Sequence, residues 1–266
     1  MKNYNILVLS DMKSTTKNLV KSTIGLAKMI DGKVDFFHVK KPTDVVEKEN
    51  QLSAMRAIND DYTSTRKKVQ KLLDSVSEEY DTDISFNFSF GNVKDEIVKY
   101  IQETKPDIIV LGKRKATPFN FIGDNITQLV LQKHEGVIMI ASPKNILDPN
   151  KELSLGILNG TEGLFNIEFA ENLIYSTQKP LKSFKFTNSY NTSKETNTKI
   201  KTIEYVFEQN DQSIRSLSNY VSKNNINLLC VNRSNEKTGN HTDIKDVIHK
   251  VNVSLLVAGE QDYAIQ

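Results

Sequence analysis

The chain repeats itself. Tyr100 to Leu111 reads YIQETKPDIIVL, and Tyr220 to Val231 reads YVSKNNINLLCV. The two stretches share the tyrosine, the order of apolar positions and the length of the apolar run, at a constant offset of 120 residues. Upstream, Ile97 falls on Leu217 and Ile101 on Val221 at the same offset. Ile6–Ser10 resembles Leu155–Asn159 at an offset of 149, and Val137–Ala141 resembles Ser254–Ala258 at an offset of 117. Those two offsets differ by 32, so the second copy is shorter by 32 residues. A duplication outranks any single local element, because it fixes the number of units before their content is read. It predicts two related layers in tandem, residues 1–145 and 152–266. The stretch between them, about 142–152, holds Pro143 and Pro149 and little apolar content, and reads as a linker.

Within the first copy, strand and helix signals alternate. Ile6–Leu9 is an apolar run ending at Ser10 and Asp11, the pattern of a strand buried on both faces. Leu19, Ile24, Leu26, Ala27 and Ile30 recur helically, and Gly32 is expected to stop that helix. Val34–Val39 reads as a second strand. Residues 45 to 80 are charged with apolar positions at helical spacing, one long helix or two. Ile84–Phe90 alternates as a strand does. Gly91-Asn92 turns into a helix that ends before Pro106. Ile108–Leu111 is a buried strand opening into Gly112. Ile126, Leu129 and Val130 mark a further helix beginning near Asp124 or Asn125, and Val137–Ala141 is a fifth strand. Such alternation implies right-handed crossovers and a parallel sheet covered on both faces. In the second copy, the place of the long charged helix is taken by Thr187–Lys199, rich in Asn, Thr, Ser and Lys, which reads as a loop.

Composition removes several classes of function. Lys and Arg total 35 against 33 Asp and Glu, so bulk charge gives no reason to hold nucleic acid or an anionic membrane. No run of 18 apolar residues spans a membrane, and the amino terminus lacks a signal-peptide pattern, which places the expectation in the cytoplasm. Cys230 is the single cysteine and can form no internal disulfide; it falls in a predicted central strand, buried and inert. His38, His134, His241 and His249 show no metal-ligand spacing. There is no Gly-x-Ser-x-Gly elbow. The pairs Asp60-Asp61 and Glu78-Glu79 lie in the charged helical stretch and read as solvated.

The first strand ends in Asp11, the second in His38-Val39, and a Gly-Asn turn leads into a helix. A strand then runs into Gly112, and Gly123 precedes a helix and a fifth strand. This order resembles the universal stress protein family in its tandem two-domain form. The resemblance covers nearly the whole chain and is strongest over residues 4–40 and 88–143. It implies an α/β fold of two tandem five-stranded parallel-sheet domains with helices on both faces, of the adenine nucleotide alpha hydrolase-like kind. It implies that the two domains pair through their fifth strands within one chain. A homodimer and an unidentified protein are the further partners it brings into view. Some members bind ATP and others do not. A stress-linked protein that binds rather than catalyses is therefore expected, with ATP or AMP as its ligand.

By that resemblance Asp11 would contact the adenosine part of the ligand and the Val39 backbone would meet the adenine; His38 reads as structural. Nucleotide-binding members carry Gly-x-x-Gly, nine further residues, then Gly-Ser/Thr, around the phosphates. The glycines allow close backbone approach, and the following helix offers free N–H groups. Here Gly112, Lys113, Gly123 and Asn125 are the candidates, with Arg114 and Lys115 adding cations. Lys115 replaces the second glycine and brings a Cβ to a place of close approach. The segment before Gly123 is two residues short, and Asp124 or Asn125 stands in place of the hydroxyl residue. As an N-cap, Asp124 would accept the helix's own N–H groups and repel phosphate. The cradle is therefore damaged.

The second copy has lost more: Asn159-Gly160 stands where Ser10-Asp11 was, and Asn232 replaces Gly112. Gly156, Gly160 and Gly163 do not form a Gly-x-Gly-x-x-Gly and read as serving a turn; Gly239 is followed by Asn240. No nucleotide is expected there. No catalytic and no metal residues are assigned. The alternatives are a protein-interaction module with closed pockets, docking through the charged helices at 45–80, and a slow ATP hydrolase or related nucleotide transferase.

Overall fold

The structure is a computed structural model that describes residues 3–41, 51–114, 125–159, 167–177, 180–187, 201–233 and 243–258. In the first half, β1 (Tyr4–Ser10), α1 (Thr16–Ile30), β2 (Gly32–Lys40), α2 (Gln51–Tyr80) and β3 (Ile84–Phe90) follow one another. They lead to α3 (Val93–Thr104), β4 (Ile108–Gly112), α4 (Asn125–Lys133) and β5 (Val137–Ala141). The second half runs β6 (Leu155–Leu158), α5 (Ala170–Tyr175), β7 (Leu181–Thr187), β8 (Thr202–Glu208) and α6 (Ser213–Lys223). It closes with β9 (Leu228–Asn232), α7 (Ile244–Lys250) and β10 (Ser254–Ala258).

The ten strands form one sheet in the order β3-β2-β1-β4-β5-β10-β9-β6-β7-β8. Each half has the same internal order, and within each half the pairs are parallel. At the seam β5 and β10 run antiparallel, with Leu255 opposite Ile140 and Val257 opposite Ile138. The two layers predicted by the duplication are thus distinct in strand order but continuous in hydrogen bonding. Their equivalence reaches individual bonds. The Asn5 N–H donates to Asp107 Oδ2 at 2.8 Å, and the Ser154 N–H to Asn227 Oδ1 at 2.9 Å, which are the positions related by offsets of 149 and 120.

Apolar side chains alternate between two cores, because successive residues of a strand face opposite sides. Ile6 and Val8 point to the face that carries α1, α2 and α5; Leu7 and Leu9 point to the face that carries α3, α4, α6 and α7. Both cores run through both halves, and Tyr4 meets Phe169 edge-on at 5.2 Å across them. Each fully buried side chain of this size contributes about 1.5–3 kcal/mol.

The edge strands record which half has the long helix. β3 reads ISFNFSF, and its Phe88 and Phe90 rings lie 4.4 and 6.0 Å from Tyr62 of α2. In β8, Tyr205 and Phe207 pack into the core of the α6 face, so Thr202, Glu204, Val206 and Glu208 turn to the opposite face. That face is polar but for Val206, where β3 is aromatic. The charged stretch of the first half is one helix from residue 51 onward; residues 42–50 lie outside the described residues. Of Thr187–Lys199, expected as a loop, Thr187 ends β7 and the rest lies outside them too.

Two glycine assignments are corrected. Asp31, not Gly32, takes the left-handed position that ends α1, with φ 56°. Gly32 makes room of a different kind: a Cβ there would come within 2.5 Å of Ile6 Cδ1, which would have to shift. Gly156 serves no turn; it lies inside β6, where a Cβ would meet Phe184 at 2.9 Å. The linker is not a loose tether. Leu147 is fully buried, its N–H donates to Ser22 Oγ at 3.1 Å, and Asn145 Nδ2 donates to the Asn252 carbonyl at 2.7 Å. Its passage over α1 requires Gly25, where a Cβ would sit 2.1 Å from the Leu147 carbonyl oxygen.

Candidate functional site

β1 stops short of its neighbours. Its ladder with β2 ends at Ser10↔His38 and its ladder with β4 at Leu9↔Leu111, while β2 continues to Lys40 and β4 to Gly112. The chain leaves through Met12 at φ 56° and enters α1. Asp11 therefore sits in a notch between the ends of β2 and β4, beside Val39 and Gly112. From β1 the strand order proceeds outward through β2 and β3 and then returns on the other side to β4 and β5. In open α/β sheets the crevice at such a reversal is where ligands bind.

The notch is held by local polar contacts. Ser10 Oγ lies 2.9 Å from Thr16 Oγ1 and accepts the Met12 N–H at 3.2 Å, tying the end of β1 to the start of α1. His38 Nδ1 donates to the Ser10 carbonyl at 2.8 Å, and burial pushes the imidazole pKa down, keeping the ring neutral. His38 is thus structural. The Asp11 carboxylate accepts the Lys13 N–H at 3.3 Å. It lies 3.1 Å from the Lys13 ammonium and 3.5 Å from the Arg114 guanidinium. These pairs are solvent-exposed, and such pairs contribute about 0–1 kcal/mol. A ligand can therefore replace them at little cost.

Gly112 differs from the other glycines of the described residues. A Cβ at Gly25, Gly32, Gly91, Gly136 or Gly156 would come within 3.0 Å of another atom. At Gly112 its nearest neighbour would be a Leu19 methyl at 3.7 Å, an ordinary contact. Packing among the described residues does not demand a glycine there.

Lys113 is a correction. Its side chain leaves the notch, crosses the seam and donates to the carbonyl oxygen of Val251, the first residue after α7. Burial there pushes its pKa down to about 8. From the loop after β4 it is Arg114 that reaches Asp11, joining Lys13 there. Gly123, with Lys115 and Asp124, lies outside the described residues; Asn125 opens α4, and its side chain is outside them as well.

In the second half Asn159 has φ 59°, and its N–H donates to the Phe184 carbonyl at 2.7 Å. Asn232 ends β9 at the position of Gly112. Gly160, Gly163, Gly239, Asn240 and His241 lie outside the described residues. Arg233 was missed from sequence; the signal was its place opposite Lys113 at the offset of 120, a cation in both copies. Cys230 is buried, and its pKa is pushed up to about 12. Among the described residues no group of three or more His, Cys, Asp or Glu is placed to hold a metal ion, and no helix is long and apolar enough to cross a membrane.

A mostly parallel sheet with helices on both faces and a notch at its strand-order reversal defines the class: an α/β protein of the adenine nucleotide alpha hydrolase-like fold. The chain belongs to the universal stress protein family, whose model matches residues 3–139. In fold it is similar to the crystal structure of a universal stress protein from Archaeoglobus fulgidus DSM 4304, with a TM-score of 0.65 at 12% identity, covering 98% of this chain and 100% of that one. It is also similar to a functionally unknown protein from Pseudomonas aeruginosa PAO1, with a TM-score of 0.56 at 12% identity, covering 98% of this chain and 94% of that one. At such identities the likeness shows the fold alone. No curated protein matches the chain.

Proposed function

We propose that this universal stress protein acts by binding an adenine nucleotide, ATP or AMP, in the notch of its first half, without catalysing its turnover. Residues 1–145 form the ligand-holding unit and residues 152–266 a structural unit that carries no nucleotide. The adenine lies against the Val39 backbone, a ribose hydroxyl donates to Asp11, and the phosphates lie toward Gly112, Arg114 and the start of α4. The observation that carries this reading is Gly112. It is a glycine that packing among the described residues does not require, at the strand end where a close-approaching ligand would require it. Arg114, 3.5 Å from Asp11, supports it by placing a guanidinium, whose fork suits phosphate oxygens, at the rim of the notch.

Calorimetry of the full chain with ATP and with AMP tests the proposal, together with native mass spectrometry of the purified protein for retained nucleotide. Binding that is lost in Asp11→Ala, with no release of phosphate, is the expected result. A folded protein that gives neither heat nor a thermal shift with either ligand would replace this reading by the interaction module. Sustained phosphate release that Asp11→Ala abolishes would make the protein a hydrolase.

A further inference from the structure

Arg233 follows β9 as Lys113 follows β4. Its backbone N–H donates to the Ala258 carbonyl at 2.8 Å, as that of Lys113 donates to the Ala141 carbonyl at 2.8 Å. Its guanidinium then crosses the seam into the first half. One terminal nitrogen donates to the His134 carbonyl at 2.6 Å and the other to the Gly136 carbonyl at 2.9 Å. These residues lie between the last turn of α4 and the start of β5. The planar fork of an arginine reaches two carbonyls at once, which an ammonium does not. A cation there also complements the negative end of the helix dipole. α4 has nine residues, a rod about 14 Å long. Its far end, Asn125, is where the phosphates of the proposed ligand arrive. A short rod gripped at one end has its other end placed by that grip.

We propose that Arg233 is a positioning residue for the first half's ligand site. From the second half it fixes the carboxyl end of α4 and thereby sets where the amino end of that helix meets the ligand's phosphates. This rests on the nucleotide reading above. It also gives the second half a task at a site it does not line.

The test compares ATP and adenosine affinities by calorimetry for the intact chain, Arg233→Met, Arg233→Lys and Asn227→Ala. Asn227 is the control: its amide joins Ser154 and Glu152 by two backbone contacts of 2.9 and 3.0 Å at the start of β6, so its loss also weakens the second half. The expected result is ATP affinity about five-fold weaker or more in Arg233→Met. Arg233→Lys recovers part of it, adenosine affinity is unchanged in both, and Asn227→Ala matches the parent. Equal ATP affinity in the parent and in both Arg233 variants overturns the inference while leaving the nucleotide reading standing. So does an equal loss for ATP and adenosine, or an equal loss in Asn227→Ala. If Arg233→Met does not fold, Arg233→Lys carries the comparison. A parent chain that binds no ATP removes the nucleotide reading and this inference together, and that outcome is seen before any variant is made.

Discussion

Lys113 and Arg233 are exchanged across the seam: each follows the fourth strand of its own half and donates to the carbonyl of the residue just past the other half's last helix. For Lys113 that residue is Val251, and for Arg233 it is His134. The joint between the halves is therefore more than a strand pair. Each half contributes a cation that closes the carboxyl end of a helix in the other, where helix carbonyls lack partners of their own.

The charge on Lys113 sets a pH dependence. Burial lowers its pKa from 10.5 in the unfolded chain to about 8 in the folded one. Between those values the unfolded chain holds more protons, so stability rises with pH across that window. Below about pH 8 both states are protonated, and the folded state carries the full cost of desolvating the ammonium. Urea midpoints of the parent chain and Lys113→Met at pH 7.5 and pH 10 should show the parent gaining relative to the variant at the higher pH. A difference independent of pH would contradict the assignment.

At the acid end, His38 and His134 act together. Both are buried, and burial is the largest cause that lowers each below 6.5, with Arg233 adding to the effect on His134. As pH falls through 6.5 the unfolded chain takes up protons first, so stability drops. His38→Gln should flatten part of that fall in a comparison of urea midpoints at pH 7.5 and pH 5.5. An undiminished fall would assign the loss to other groups.

Two glycine substitutions should separate packing from ligand binding. Gly25→Ala drives a methyl into the Leu147 carbonyl and should cost about 3 kcal/mol, because neither helix nor linker can yield without losing its own contacts. Gly112→Ala should change stability by no more than about 0.5 kcal/mol, as its methyl meets only Leu19 among the described residues. The same change should weaken ATP binding. Thermal denaturation reads the first pair of outcomes and calorimetry the last. Unaltered ATP affinity in Gly112→Ala would remove the main support for the proposed ligand site.

Asp11→Ala should lower nucleotide affinity about ten-fold or more, through loss of a charge-assisted hydrogen bond to the ribose. Its folding stability should stay within about 0.5 kcal/mol, because its partners Lys13 and Arg114 are exposed. Chemical denaturation measures the second quantity independently of the first. A large stability loss would make Asp11 a structural residue.

The central strands were legible because their apolar runs are continuous: Ile6–Leu9, Ile108–Leu111 and Leu228–Val231 are buried on both faces. β8 has no such run. Its face opposite α6 carries Thr202, Glu204 and Glu208 beside Val206, so its apolar run is short and the strand blends into the polar stretch before it. Asp11, Val39 and Gly112 were grouped by the family resemblance, and each lies at or within one residue of the end of its strand. Lys113 was misread for a physical reason. Its contact lies 138 residues away and exists only because β5 and β10 run antiparallel, a relation that no local pattern encodes. Arg114 was seen as one of three neighbouring cations, and only the backbone path past Gly112 selects it for Asp11.

Because β5 and β10 belong to one polypeptide, their union is a first-order process. It does not weaken on dilution, and no subunit exchange replaces a worn half with a fresh one. Every notch is delivered with a single supporting half in fixed stoichiometry. Strand direction also inverts at the joint, so the carboxyl rims of the two halves open at opposite ends of the sheet. A molecule lodged at the first rim and another docked at the second would never contend for the same space.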